Sequence, residues 1–366
     1  MKTFIIKNWK WLIEDAKILE CWFENFEEQM VSKNVKSSTE RDVFTILISG
    51  QEYYVKYSHP KEMFQKIRSY FSPKLIKEYK TIKLLKSLGI STPNTVGVGS
   101  NGSCSMLITE AVTDAVDLRF FWFKQCHDTK IRKKLLDSYT NFLKSIINSG
   151  IYHPDFHPGN ILIKEKQNKF IFYLIDTYGI KQYKNKKFKK VYNMLCIIGS
   201  MRGELRDNEA ITMISKILEI DQIRAKKYWS MILKSETIKT NKLWKKRKSK
   251  LLKTSKYTEY FKIENKIIRV RKQMTGALYI NKKSILNKDY EKDSNLNKKT
   301  FNSFESACEE WLDSFKMQFH RIPNIFPLIW VQEKDKNYLF YIKDENVKNI
   351  LSEKEIQERK SYLLKI

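Results

Sequence analysis

One segment restricts the fold of this chain more than any other: residues 149–176, which read "SGIYHPDFHPGNILIKEKQNKFIFYLID". Before it, apolar residues recur at helical spacing over residues 131–147 and predict a helix that ends at Gly150. Within it, a polar loop precedes two apolar runs on either side of a polar turn near Asn168, which predicts a β-hairpin. The chain therefore places its most polar loop between the end of a helix and the open end of a hairpin.

The register of this hairpin decides which side chains meet. A turn at its centre places Ile161 opposite Ile175, so that Asn160 and Asp176 emerge side by side. Asp155 lies in the loop that leads to the same end. Amide and carboxylate oxygens are hard ligands that suit Mg²⁺. The set predicts phosphoryl transfer, in which Asp155 deprotonates an attacking hydroxyl while Asn160 and Asp176 hold Mg²⁺ on the phosphates of ATP.

A second group of residues, further upstream, supports this chemistry. The stretch "DVFTILISGQEYYVKY" predicts a hairpin around "SGQE", and Lys56 ends its second strand. A helix follows, with Ser72 as its N-cap, Pro73 at its first position and Gly89 at its end; two further strands are predicted in "PNTVGVGSNGSCSMLITEAV". Glu78 lies on that helix. A strand lysine paired with a helix glutamate holds the phosphates in kinase-like folds.

Two other interpretations of the polar loop stay open at this point. His153, Asp155 and His157 have the spacing of a transition-metal site, although that interpretation leaves Asn160 and the hairpin without a role. Alternatively, the histidines cap the helix end and the aspartate caps a turn, and the loop is purely structural. The upstream lysine and glutamate favour phosphoryl transfer over both.

Composition limits the class of protein. The chain has 366 residues and a formal charge of +28, from 69 Lys and Arg against 41 Asp and Glu. Such a charge suits a nucleic acid or an anionic membrane equally well, and biased codon usage with a solvated lysine surface explains it too. The five cysteines lie far apart with no CxxC spacing, which predicts reduced thiols. No apolar run reaches membrane-spanning length, and the N-terminus has no signal-peptide pattern, so we expect a cytoplasmic protein.

Residues from about Val35 to Ile220 resemble the lipopolysaccharide core kinases, the Kdo/WaaP-type family of the protein-kinase-like fold. The likeness is carried by "YYVKY", "KEYKTIKLLKSLGISTPNTVGVGSNG", "SMLITEAV", "HPDFHPGNILI" and "LIDTYG", the last in the place of the kinase DFG. The resemblance implies an α+β, bilobal fold with an antiparallel-sheet small lobe, a mainly helical large lobe and a C-terminal α+β extension. It implies ATP and Mg²⁺ as cofactors and these site residues: Asp155 as the catalytic base, Lys56 and Glu78 at the phosphates, Asn160 and Asp176 at Mg²⁺, and Thr109, Glu110 and Ala111 at adenine.

The sequence also departs from the kinase pattern. "NVKSSTERDV" replaces the GxGxxG loop, so we expect Ser37, Ser38 and Thr39 to cover the phosphates. Pro154 replaces the arginine of the kinase HRD, and no APE segment follows Asp176. The D-x-H-P-G-N form recurs in UbiB-type atypical kinases and, more loosely, in aminoglycoside phosphotransferases. A small-molecule kinase of either kind, or a catalytically silent kinase-like protein that binds nucleotide or lipid, is therefore the alternative.

The predicted organisation has five parts: an N-terminal helical or interfacial segment (1–33), a small lobe (34–113), a large lobe with the catalytic loop (114–235), a basic linker (236–255) and a C-terminal α+β region (256–366). The order of elements in the last region resembles that of the small lobe, so the region is either a degenerate copy of that lobe or an unrelated α+β appendage. Aligning Ile90 with Ile322 sets Glu78 on Glu310 and puts Lys282 near the place of Lys56. We do not expect a second catalytic unit there, because no second Asp-and-Asn loop follows.

The functional prediction is an ATP-dependent kinase that phosphorylates a sugar, Kdo or heptose, of the lipopolysaccharide inner core. Its expected partners are the lipid A-linked glycolipid and the anionic surface of the inner membrane, to which the protein would bind peripherally from the cytoplasm; no nucleic acid is expected. The run "KQYKNKKFKK", residues 181–190, is a candidate for that docking, with a solvated surface as its alternative. The oligomeric state is left open.

Overall fold

The computed structural model describes residues 2–6, 8–14, 33–125, 129–167, 169–183, 188–272, 289–292, 296–322, 326–334 and 336–342. The chain forms two compact units. The first comprises residues 1–197 and 213–220, and the second comprises residues 198–212 and 221–366. Mixed antiparallel sheets and helices confirm the predicted α+β class.

A seven-stranded antiparallel sheet dominates the first unit, in the order β1-β2-β6-β7-β5-β4-β3. Its strands are β1 (Lys2–Ile6), β2 (Trp9–Ile13), β3 (Lys33–Ser37), β4 (Arg41–Ile48), β5 (Gln51–Ser58), β6 (Thr95–Asn101) and β7 (Cys104–Glu110). The predicted hairpin is β4–β5, and its two turn residues, Ser49 and Gly50, have φ of 50° and 79°. Positive φ at both positions is what a two-residue hairpin turn requires, so the glycine in "SGQE" sets this register.

Two helices, α1 (Met63–Phe71) and α2 (Lys74–Ser87), connect β5 to β6. Helix α1 is absent from the sequence predictions. The predicted start of α2 is wrong by one residue, because Pro73 has extended backbone angles and is itself the N-cap, without a side-chain cap. Ser72 instead ends α1. Gly89, with φ of 73°, follows the end of α2 as predicted.

The predicted helical or interfacial nature of the N-terminal segment is wrong for the residues that the structure describes there. Lys2–Ile6 and Trp9–Ile13 form an antiparallel hairpin that joins the sheet through β6. Burial alternates along β2, where Trp11 and Ile13 enter the core. This period of two is the pattern of a strand with one buried face, and it places Trp11 in the core.

The rest of the first unit is mainly helical and carries the polar loop. Its elements are β8 (Val116–Asp117), α3 (Leu118–Gln125), α4 (Thr129–Asn148), β9 (Ile151–Tyr152), a 3-10 helix (Pro158–Asn160), β10 (Ile161–Lys166), β11 (Lys169–Leu174) and β12 (Lys181–Gln182). Helix α4 and the β10–β11 hairpin confirm the sequence predictions. The predicted register of the hairpin is wrong by one residue, since Ile161 lies opposite Leu174.

Two helices, α5 (Phe188–Ser200) and α6 (Asp207–Leu218), contribute residues to both units. The second unit continues with α7 (Gln222–Arg247) and a 3-10 helix (Lys248–Leu251). Most of the predicted basic linker is therefore helical, and Trp244 and Leu251 enter an apolar cluster of this unit. The long helix forms because apolar residues interrupt its lysines at helical spacing.

The sheet of the second unit has five antiparallel strands in the order β13-β14-β16-β17-β15. Its elements are β13 (Thr258–Ile263), β14 (Lys266–Arg271), α8 (Asp289–Lys292), β15 (Leu296–Phe301), α9 (Phe304–Phe319), β16 (Pro327–Glu333) and β17 (Lys336–Ile342).

This order repeats five strands of the first sheet. A hairpin, a strand, a helix and a second hairpin follow one another in both, and the strands pair as β1-β2-β6-β7-β5 and β13-β14-β16-β17-β15. The register agrees as well, because Lys56 faces Leu107 in the first sheet and Lys299 faces Leu339 in the second. Lys299 therefore occupies the place of Lys56 in this register. Lys282, for which that place was predicted, lies outside the described residues.

Candidate active site

The two histidines of the polar loop shape its backbone. His153 is buried, and its Nδ1 accepts a hydrogen bond from the backbone N–H of Asp155 at 3.2 Å. His157 precedes the 3-10 helix, and its Nδ1 accepts from the N–H of Gly159 at 3.1 Å. Both rings thus hold turns of the loop. No group of three His, Cys, Asp or Glu side chains in the described part of the chain could hold a metal ion, so the transition-metal interpretation has no support.

Asn160 joins the loop to the hairpin. Its side-chain Nδ2 donates to the backbone carbonyl of Asp155 at 2.9 Å, and its own carbonyl accepts from the N–H of Ile175 at 2.9 Å. The second bond brings Asp176 beside Asn160, as predicted, despite the shift in register. Asp176 has φ of 53°, a backbone conformation that is uncommon for residues other than glycine and that concentrates at functional sites.

Two cations meet the carboxylate of Asp176. Lys56 Nζ lies 2.5 Å from Glu78 Oε1 and 3.4 Å from Asp176 Oδ1. The predicted Lys56–Glu78 ion pair is therefore present, with Glu78 only 1% exposed. Arg41 Nη2 approaches the same Asp176 oxygen at 3.0 Å. Sequence reasoning missed this arginine, which lies in β4 just after the turn that replaces the glycine-rich loop.

The electrostatics of the site follow from these contacts. Burial acts to raise the pKa of Asp176, but Lys56 and Arg41 outweigh it and hold the pKa at about 2. The carboxylate is therefore ionised at neutral pH. Burial lowers the pKa of His153 to about 4, more than the nearby carboxylates can offset, so this ring is neutral at the same pH. The neutral form suits its role as an acceptor for the loop backbone.

A cavity of about 490 Å³ opens beside these groups. Asn160, Asp176, Lys56 and Glu78 line its polar end. Its remaining wall contains apolar side chains of the sheet and the large lobe: Val43, Leu107, Val112, Leu162 and Leu174. An apolar chamber with one charged end fits a molecule that has a flat base at one side and phosphates at the other.

The predicted adenine contacts need an adjustment. Thr109 and Glu110 line the cavity, as does Val112, whereas Ala111 does not. The N–H of Ala111 donates to the carbonyl of Glu52 at 2.9 Å, which extends the pairing between β5 and β7. Two of the three predicted residues therefore line the cavity, and Val112 extends this lining beyond them.

The segment that replaces the glycine-rich loop also differs from the prediction. Of the three predicted hydroxyl residues only Ser38 lines the cavity, and its hydroxyl is engaged in the turn with Arg41. The Ser37 hydroxyl donates to Asp42. Arg41 itself lines the cavity. Its position two residues before Val43 corresponds to the last glycine of the G-x-G-x-x-G-x-V pattern, and that spacing is the signal that could have identified it.

Asp155 lies apart from the buried groups. Its carboxylate is 77% exposed, and the imidazole Nε2 of His157 lies 3.7 Å from its Oδ2. It is not among the residues that line the cavity. A carboxylate so placed is accessible to a second molecule that approaches from solvent while the cavity holds the first.

The donor set fits Mg²⁺. The Asn160 side chain uses its nitrogen in the bond to Asp155, which leaves its oxygen to act as a ligand, and Asp176 is ionised. An amide oxygen and a carboxylate are hard donors of the kind that Mg²⁺ prefers alongside phosphate oxygens. Asn160 and Asp176 would hold the ion.

An antiparallel sheet with a Lys–Glu pair, a loop with Asp and Asn, and a following Asp define a phosphotransferase domain of the protein-kinase-like fold. Residues 26–194 match the Lipopolysaccharide kinase (Kdo/WaaP) family, so the resemblance drawn from the sequence is confirmed for this domain, as is its class of phosphotransferase. A solved structure described as WaaP in complex with acyl carrier protein is 17% identical to the chain, with a TM-score of 0.48; the match covers 66% of this chain and 98% of that one. No curated protein matches the sequence.

Proposed function

We propose that this protein is an ATP- and Mg²⁺-dependent kinase that phosphorylates a sugar hydroxyl of the lipopolysaccharide inner core, Kdo or heptose, on a glycolipid held at the inner membrane. The observation that carries the proposal is the meeting of Lys56, Arg41 and Asn160 around the ionised Asp176 at the charged end of one cavity. The family match supports the lipopolysaccharide substrate.

Each of these residues has its own role in the transfer of the phosphoryl group. Lys56, oriented by Glu78, and Arg41 bind the β- and γ-phosphates and stabilise the charge that develops there. Mg²⁺, when bound by Asn160 and Asp176, neutralises phosphate oxygens. Asp155 accepts the proton of the sugar hydroxyl as that oxygen forms its bond to the γ-phosphorus and the bond from phosphorus to the β-phosphate oxygen breaks, releasing ADP. The adenine lies against the apolar wall near Glu110 and Val112.

None of the helices in the described ranges is long and apolar enough to cross a membrane. A kinase that acts on a membrane-held glycolipid has to reach the surface of the bilayer. We include peripheral association with the anionic inner leaflet in the proposal, supported by the formal charge of +28.

The test uses the purified protein, γ-labelled ATP and lipid A-core glycolipid, and it follows label in the glycolipid. Asp155→Asn should abolish transfer while nucleotide affinity stays within about twofold, because the exposed carboxylate acts only on the acceptor. Asp176→Asn should remove Mg²⁺-dependent nucleotide binding as well. Nucleotide binding without transfer in the wild type would favour the catalytically silent protein, and full activity in both variants would eliminate the site.

A further inference from the structure

Helix α1, Met63–Phe71, exposes its apolar side chains and buries a polar one. It exposes five large apolar side chains to solvent: Met63, Phe64, Ile67, Tyr70 and Phe71. Phe64 and Phe71 are 86% and 81% exposed. The residue that α1 buries is Ser69. An ordinary surface helix does the opposite and buries its apolar face.

Helical geometry gathers the exposed side chains into a single face. Residues three, four and seven apart in a helix lie on one side, which aligns Met63, Ile67 and Tyr70. Phe64 and Phe71, also seven apart, form the adjacent row. Ser69 and the half-buried Gln65 lie on the opposite side, toward the sheet. The apolar face therefore points directly away from the protein, and we call these five residues the α1 face.

Charge borders the α1 face. At 100° per residue, Lys66 falls on one edge of the apolar arc and Arg68 on the other. Both are exposed, and so is Lys61 just before the helix. The acidic residue beside them, Glu62, accepts a hydrogen bond from Gln65 at 3.0 Å on the polar side. An apolar arc between two basic edges is typical of helices that lie in the interface of an anionic membrane.

We propose that the α1 face inserts into the surface of an anionic lipid bilayer and is the membrane-docking surface of this protein. It deepens the peripheral association proposed above and names the residues responsible. The charge favours lipid over a second copy of the chain, because pairing two α1 faces would bring Lys66 and Arg68 against their own equivalents. The two phenylalanines supply apolar area below the headgroups, and the basic edges pair with anionic lipid.

The α1 face also replaces two earlier candidates, the N-terminal segment 1–33 and the lysine run 181–190. In the first of these, Trp11 is in the core and is not available to lipid. In the lysine run, residues 184–187 lie outside the described part of the chain, and Lys190 Nζ lies 2.7 Å from the centre of the Tyr183 ring. In the described residues of these two segments there is no combination of exposed aromatic rings and basic edges like that of α1.

The test measures co-sedimentation of the full chain with vesicles of phosphatidylethanolamine and phosphatidylglycerol, and with vesicles of phosphatidylcholine alone. Phe64→Gln/Phe71→Gln should weaken binding to the anionic vesicles at least about tenfold. Lys66→Gln/Arg68→Gln should weaken it by about fivefold per residue, with the loss erased at high salt. Hydrogen exchange of the α1 amides should slow when anionic vesicles are added.

The matched control is Ile223→Gln/Lys226→Gln, which removes an exposed apolar and a basic residue from α7 and should leave binding unchanged. Asp155→Asn should bind vesicles like the wild type, so that loss of kinase activity and loss of docking are separate results. Three outcomes would overturn the proposal. The first is unchanged vesicle binding by Phe64→Gln/Phe71→Gln. The second is a melting temperature lowered by several degrees in that variant, because the chain itself would then cover the face, and the third is a dimer in solution that the variant abolishes.

Discussion

Arg41 gives this site a second fixed cation at the position where protein kinases keep a flexible glycine. Its guanidinium and Lys56 share the Asp176 carboxylate. A planar guanidinium can bind two phosphate oxygens at once, which a lysine cannot. The arginine therefore offers a phosphate contact that compensates for the missing glycine-rich loop.

We expect Arg41→Gln to raise the KM for ATP about 10- to 100-fold, since a charge-assisted hydrogen bond contributes about 1.5–3 kcal/mol. Arg41→Lys should recover part of the loss, because lysine keeps the positive charge but cannot bind two phosphate oxygens as the planar guanidinium does. Adenosine binding, measured by calorimetry, should stay the same in all three proteins. Equal weakening of adenosine and ATP would instead place the effect on the shape of the cavity.

The sequence predicted that Lys56 would pair with Glu78 and that Asn160 would lie beside Asp176, because each residue has a fixed place relative to a strand end or a helix. Arg41 was not predicted because the glycine-rich motif that marks its position in kinases is absent from this chain. Of the three residues predicted at adenine, Thr109 and Glu110 line the cavity and Ala111 does not, and a strand pattern alone cannot separate them. Register and side-chain direction come from tertiary packing, which local spacing does not contain.

His153 makes the stability of the first unit depend on pH. Its pKa is about 4 in the folded protein, against an ordinary value of 6.5. Between these values the unfolded chain binds a proton there that the folded protein does not, so the free energy of unfolding falls as the pH is lowered from about 6.5 to about 4. Above pH 6.5 the ring is neutral in both states and contributes nothing. The full effect is on the order of 3 kcal/mol.

His153→Asn keeps an acceptor near the N–H of Asp155 and removes the titration. We expect this variant to lose less stability than the wild type between pH 6.5 and pH 4. Hydrogen exchange of the β9 and β10 amides measures the stability of the first unit alone. This separation is needed because burial also lowers the pKa of His320, in the second unit, to about 4. A parallel loss of protection in both proteins would show that His153 does not carry the dependence.

At the scale of elements, helices and hairpins with strong local signals were predicted well. Gly50, Gly89 and Gly150 each end an element with positive φ, and glycine is visible in a sequence. The β1–β2 hairpin was missed because "NWKWLI" has a tryptophan-rich pattern that suits either a membrane interface or a half-buried strand. Only its pairing with β6 decides between the two.

The contact between Trp11 and Gly99 tests the place of that hairpin. Gly99 lies opposite Trp11 in the β2–β6 pair, and a Cβ added at Gly99 would come within 2.6 Å of the indole ring. Trp11→Ala should destabilise the sheet by about 3–5 kcal/mol, as expected for a large buried ring. Gly99→Ala should destabilise the wild type but cost much less in the Trp11→Ala background, where the space is free. Hydrogen exchange of the β6 amides measures each change; additive effects would place the ring elsewhere.

At the scale of the whole molecule, the two sheets carry the same ion pair in the same register. Lys299 Nζ lies 2.5 Å from Glu310 Oε2, as Lys56 Nζ does from Glu78 Oε1. The surroundings differ. In the first sheet, Thr109 follows the leucine opposite Lys56 by two residues and lines the cavity. The corresponding residue of the second sheet is Tyr341, whose hydroxyl donates to Glu310. The glutamate of the second pair is thus engaged by a phenol, whereas the glutamate of the first pair lines a cavity.

The two pairs should therefore respond differently to the same substitution. Lys56→Met removes a phosphate ligand and should lower kcat/KM for ATP more than about 100-fold. Lys299→Met breaks a pair that is about half exposed on its lysine side, and such pairs contribute about 1 kcal/mol or less, so activity should stay near the wild-type value. Both variants should keep the fold, which far-UV circular dichroism checks. A comparable loss of turnover in Lys299→Met would mean that the second sheet takes part in nucleotide binding, and it would contradict the assignment of a single catalytic unit to this chain.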